Sequence, residues 1–152
     1  MTCYLFDAPS YFFFTSDIPQ LLYYSHIPTA VIALLVGFIV FFNEPKSLLN
    51  RLLLGISLTF TAWVLVSLIA WTNINAEVIA FLWPIFGIAA GLLGILSIYF
   101  VSVFLRGHDI NTPTKIALLS LAVPLFVFAH TDLSLSGFNL ANCDAFDFEG
   151  II

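Results

Sequence analysis

The sequence predicts an all-α integral membrane protein, a bundle of four transmembrane helices with an aromatic N-terminal segment at the membrane surface. Three observations carry this. Hydrophobic residues make up 61% of the 152-residue chain and charged residues 9%, whereas water-soluble domains carry about 25% charged residues and need them to cover a core. The stretch VIAFLWPIFGIAAGLLGILSIYFVSVFLR stays uncharged from Val78 to Leu105, too long and too apolar for a helix in water and long enough to span a bilayer. The four Lys and Arg residues, Lys46, Arg51, Arg106 and Lys115, all fall between apolar segments or close to their ends. A chain of this size leaves no room for a separate catalytic domain beside the membrane bundle, so no enzyme activity and no cofactor are expected. The net charge of −5 offers nothing to nucleic acid; membrane lipid is the expected surrounding.

The first twenty residues, MTCYLFDAPSYFFFTSDIPQ, lack the basic region and the small-residue cleavage site of a signal peptide and are expected to be retained. Tyr4, Phe6, Tyr11, Phe12, Phe13 and Phe14 crowd here among Asp7, Pro9, Asp17 and Pro19. The prolines and carboxylates argue against a span, and the rings favour the headgroup region. The first span follows at 21–42. Pro28 is read as lying near its start, where a missing amide costs little, and His26 as a polar residue of the interface.

The loop NEPKSLLNR leads to the second span at 48–71, whose Ser57, Thr59, Thr61 and Ser67 can donate to carbonyls one turn back or across to a neighbouring helix. Trp63 is far from either end and is expected to pack inside the bundle, while Trp71 reads as an interfacial belt residue. After a short TNINAE turn, the third span at 78–105 places Gly87, Gly91 and Gly94 at i, i+4 and i+7, a smooth face for close helix packing. Another helix of the chain is the expected occupant, with a homodimer as the alternative. Pro84 is expected to loosen the outer turns and free a carbonyl near Ala80, which makes Trp63, Trp83 and Pro84 the candidate ligand-facing residues.

The fourth segment, 113–133, is apolar from Ile116 to Ala129 and crosses only if it continues through His130 and Asp132, with Pro124 as a bend. Basic loops favour the cytoplasm. The loops holding Lys46, Arg51, Arg106 and Lys115 are therefore expected inside, and both termini and the outer tail, 134–152, outside a cytoplasmic membrane. Cys3 and Cys143 then lie together on the side where oxidation is possible, a candidate disulfide. By chain entropy it would contribute roughly 5 kcal/mol, less any strain.

The pieces YYSHIPTAVIALLVGFIVF, NEPKSLLNRLLLGISLTFTAWV, FLWPIFGIAAGLLGILSIYFVSVF and NLANCDAFDFEG, in this order, resemble the first four helices of the seven-helix membrane region at the front of bacterial sensor histidine kinases. The resemblance implies a signal-input module of a two-component system that responds to something in or outside the membrane and passes a conformational change to a cytoplasmic kinase. It also implies a membrane-protein partner, or a C-terminal half with three further helices and the kinase, beyond these residues. The competing readings are a small structural or partner subunit of a larger membrane complex and half of a transporter.

One local string, His108-Asp109-Ile110-Asn111-Thr112-Pro113, resembles a histidine-kinase phosphoacceptor box. Such a box needs a solvated helical hairpin and a nucleotide-binding domain, and no Gly-rich nucleotide loop is present. Helix capping explains the string: Gly107 ends the third helix, Thr112 caps the fourth and Pro113 takes its first position. His26 and His130 are expected outside and His108 inside, with no paired spacing, so no metal site is expected. No carboxylate lies in the middle of a span, which argues against proton transport.

Overall fold

The computed structural model describes residues 20–72, 76–129 and 131. They form α1 (Gln20–Asn43), α2 (Leu48–Thr72), α3 (Ala76–Arg106), α4 (Thr112–Ser120) and α5 (Ala122–Phe128). The first three have 24, 25 and 31 residues, or about 36, 38 and 46 Å at 1.5 Å per residue. Each is long and apolar enough to cross a hydrocarbon core of about 30 Å.

The chain runs up, down and up again. α1 packs along α2 and α2 along α3, while α1 and α3 do not pack on each other, so the three long helices form an open layer rather than a closed bundle. The α1–α2 seam is built from small and polar residues. Tyr23 meets Leu68 near one end, at 3% and 2% exposure, and Thr61 Oγ1 donates to Ala30 O at 3.4 Å as well as to Ser57 O at 2.8 Å. At Gly37 the two helices approach closely, for a Cβ there would stand 2.6 Å from that of Ser57. Ser57, Thr61, Ser67 and Thr72 are buried, whereas Leu21, Ile32, Leu35, Ile39 and Phe42 of α1 are exposed. Apolar side chains facing outward, with hydroxyls among the buried residues, are what a bilayer allows. Lipid removes the penalty on exposed apolar side chains and imposes one on unpaired polar groups. The arrangement is that of a multi-pass membrane protein.

Short hydrogen bonds hold the connections. Asn50 Nδ2 donates to Val40 O at 3.0 Å and Glu44 O at 3.2 Å, and Arg51 Nε to Pro45 O at 2.9 Å. The Val40 carbonyl is one of the last four of α1, which have no partner within their own helix. Gly107, at φ +69°, ends α3 and returns its N–H to Val103 O at 2.9 Å. Only glycine adopts that left-handed conformation without a Cβ penalty.

Three expectations bear on the described helices. The first, the four-span bundle, is met by its first three spans. Three helices reach span length, but the fourth segment is a run of 9 and 7 residues joined at Leu121, about 25 Å in all. Pro124 is the cause of the break: it cannot donate to Ser120 O, where α4 ends, and Leu121 N turns instead to Leu118 O at 3.3 Å. His130 and residues 132–135, through which a crossing would continue, lie outside the described residues. Second, Pro28 is not near a helix start. α1 begins at Gln20, so the proline sits in its third turn and leaves the Tyr24 carbonyl without its helical partner. Hydroxyls crowd the same turns, with Ser25 Oγ on Leu22 O at 2.9 Å and Thr29 Oγ1 on Ser25 O at 2.5 Å. Third, the cap of α4 is Asn111, one residue before Thr112. Its side chain accepts from Thr114 N at 3.3 Å, and Pro113 falls in the first turn behind it.

Candidate functional site

The most distinctive chemistry lies between α2 and α3. Trp63 stacks on Phe60, its neighbour one turn earlier, with ring centroids 5.9 Å apart, and on Phe86 of α3 at 5.0 Å. Phe86 stacks in turn on Trp83 at 5.4 Å. The four rings make a continuous ladder across two helices, at spacings where offset aromatic pairs attract. The indole N–H of Trp63 is buried and has no hydrogen-bond acceptor among the described residues. Within a bilayer such a donor has no water to turn to, and leaving it unmade costs about 1–3 kcal/mol.

Of the candidate ligand-facing residues, then, the structure brings Trp63 and Trp83 into one stack, and Pro84 is the next residue after Trp83 along α3. α3 runs unbroken through Pro84, although the proline still deprives Ala80 O of its i+4 donor. The sequence reading missed Phe60 and Phe86, yet the signal was present. Each stands three residues from a tryptophan on a helix, a spacing that puts side chains on one face.

A second polar feature joins α1 to α2. His26 Nδ1 lies 2.9 Å from Leu22 O, and its Nε2 lies 3.5 Å from Ser67 Oγ. Nδ1 also lies 2.9 Å from Ser25 Oγ, so both ring nitrogens have polar neighbours, and the tautomer sets which of them donates. His26 thus reaches from α1 to Ser67 of α2. Among the described residues no group of three His, Cys, Asp or Glu side chains stands close enough to hold a metal.

The glycine face is only partly used. A Cβ on Gly91 would run into the methyl groups of Leu125 of α5, whereas Gly87 and Gly94 have nothing within 4 Å. A tight contact between two spanning helices is made elsewhere, at Gly37 on Ser57. Cys3 and Cys143 and the N-terminal aromatic segment lie outside the described residues.

At the other end, Asp109 joins α3 to α4. Its carboxylate accepts from Tyr99 Oη at 2.8 Å and forms an ion pair with Lys115. His108 Nδ1 contacts Asp109 O at 2.9 Å in an exposed loop, where Gly107 and Asn111 set the two helix ends. Because the up-down-up path brings the α1–α2 and α3–α4 connections to the same end, Lys46, Arg51, Arg106 and Lys115 gather there.

The hydrogen bond from Lys115, then that from Tyr99, hold the Asp109 carboxyl below its ordinary range. A depressed carboxyl pKa stabilises above the unfolded value and loses that contribution as pH falls through the folded one. Protection of the α4 amides against hydrogen exchange is therefore expected to be flat from neutral pH down to about 4, the ordinary carboxylate value, and to fall below it. Asp109→Asn should show the lower protection at every pH. Equal protection in both proteins at pH 7 would show that the contact does not hold α4.

No family model, no curated protein and no solved structure matches this chain.

Proposed function

We propose that the chain is a membrane signal-input module of the sensor-kinase type, which works by packing against further membrane helices that carry the output. The observation that carries the reading is the open layer. α1 and α3 do not close on each other, and Gly87 and Gly94 leave a smooth strip on α3 that no described residue covers. A closed bundle has little need of such a surface, whereas a module that passes on a conformational change must share an interface with what it controls. The resemblance in helix order to sensor histidine kinases supplies the class of output. The gathering of Lys46, Arg51, Arg106 and Lys115 at one end favours that end in the cytoplasm, with both termini outside the cytoplasmic membrane if the fourth segment crosses.

Two measurements test this. Reporter fusions within the Glu44–Lys46 turn should report the cytoplasm and fusions at Ile152 the outside; a cytoplasmic Ile152 would sink the four-span topology and with it the Cys3–Cys143 pairing. Histidine phosphorylation in native membranes, compared with and without the chain, is expected to change in its response to stimulus. A structural subunit, the second reading, would alter the partner's abundance and leave phosphorylation per partner molecule the same.

A further inference from the structure

We propose that the α2–α3 ladder is a binding site for an uncharged, ring-bearing molecule drawn from the bilayer, whose oxygen accepts a hydrogen bond from Trp63 Nε1. The inference deepens the input-module reading by naming the class of ligand, but binding itself does not depend on any output.

Four features of the site define that ligand. The first is the donor: a buried N–H with no acceptor among the described residues calls for a molecule that carries one, and an acceptor supplied there removes a penalty already present in the free protein. The second is the ladder of rings. Phe60, Trp63, Phe86 and Trp83 stack at 5.0–5.9 Å, and each keeps part of its surface exposed, so a planar molecule approaching sideways from the lipid meets aromatic faces and edges. The third is charge. No Asp, Glu, Lys or Arg occurs in α2 beyond Arg51 or in α3 from Val78 to Leu105, which disfavours an ionised ligand, since nothing there would pair with it. The fourth is room and compliance. Gly87, next to Phe86, has no atom within 4 Å of where a Cβ would stand, and Pro84 leaves the turn of α3 that bears Trp83 one hydrogen bond short. That turn is where α3 yields most readily to let an acceptor reach the indole. His26, Thr59, Thr61 and Thr72 in the same three helices have carbonyl partners within hydrogen-bond distance. Trp63 departs from that pattern.

The test uses two probes of nearly the same shape, 2-acetylnaphthalene, which has a carbonyl acceptor, and 2-ethylnaphthalene, which has none. Binding of each to the full chain in lipid nanodiscs is measured by titration, with empty nanodiscs subtracted to remove simple partitioning. The expected result is saturable binding of one ketone per chain, about tenfold tighter than the hydrocarbon, the worth of one good hydrogen bond. Trp63→Phe keeps a ring in the stack and removes the donor. It should bring the ketone down to the level of the hydrocarbon measured in the same variant. Equal affinity of the two probes for the unmodified chain overturns the proposal, and so does a ketone preference that survives in Trp63→Phe. The probe comparison in the unmodified chain does not depend on the variant folding. A negative result removes the ligand class and leaves the input-module reading to the phosphorylation measurement.

Discussion

Gly37→Leu is expected to separate α1 from α2 and to leave little monodisperse protein in mild detergent. Even a single methyl is too much: a Cβ at position 37 stands 2.6 Å from Ser57 Cβ and 2.8 Å from its Oγ, and a real Cβ does not approach so closely. Gly37→Ala should therefore cost about 1–3 kcal/mol, the usual penalty for overpacking. The neighbour cannot swing away, because a Cβ moves only with its backbone. Adding Ser57→Gly to Gly37→Ala should restore at least half the loss, and Ser57→Ala, which keeps the Cβ, should restore almost none. Gly91→Ala makes a useful contrast. Its obstacle is the far end of Leu125, which can change rotamer, so its cost should be smaller than that of Gly37→Ala. Thermal unfolding of the purified variants checks the series, and a Gly37→Leu protein as stable as the parent would refute the close α1–α2 contact. The effect is large because lipid offers helices no hydrophobic drive to associate. Contact at short range is most of what holds the pair together.

Replacing Lys46, Arg51, Arg106 and Lys115 together by Gln is expected to abolish a single orientation in the membrane. These are all the Lys and Arg residues of the chain, and the bias that keeps basic loops in the cytoplasm acts on positive charge rather than on net charge. With them gone, reporters in the Glu44–Lys46 turn and at Ile152 should each give signal on both sides. Placing lysines at positions 73–75 of the same variant should then complete the inversion. Arg51 also bonds Pro45 O and Lys115 pairs with Asp109, so the rescue matters: a molecule that had only lost local contacts would not invert. Unchanged one-sided signal in the fourfold variant would refute these residues as determinants of topology.

Much of the architecture was legible along the chain. The first three spans, read at 21–42, 48–71 and 78–105, coincide within a residue or two with α1, α2 and α3. Apolar length is a local property, and in a bilayer backbone pairing is satisfied within each helix. Trp63 could be assigned to the interior because its depth follows from its place between the ends. The fourth segment was less legible, since the effect of Pro124 depends on whether neighbouring contacts hold a helix through it, and α4 and α5 bury none of their residues. The α4 cap was misplaced by one residue because Asn111 and Thr112 are both good caps.

By itself, then, the sequence determined the solvent, the first three long helices with their ends, and the positions of the cations, all of which depend on composition and on distances measured along the chain. The tertiary structure alone decided which small residue became a contact. It set Gly37 on Ser57 and Leu125 on Gly91, left Gly87 and Gly94 open, turned His26 toward Ser67, and stacked Trp63 on Phe86 with the indole donor unmatched. Helical periodicity tells which residues share a face. Which helix that face meets depends on how the long elements cross, and in lipid that is settled by van der Waals fit between surfaces far apart in sequence.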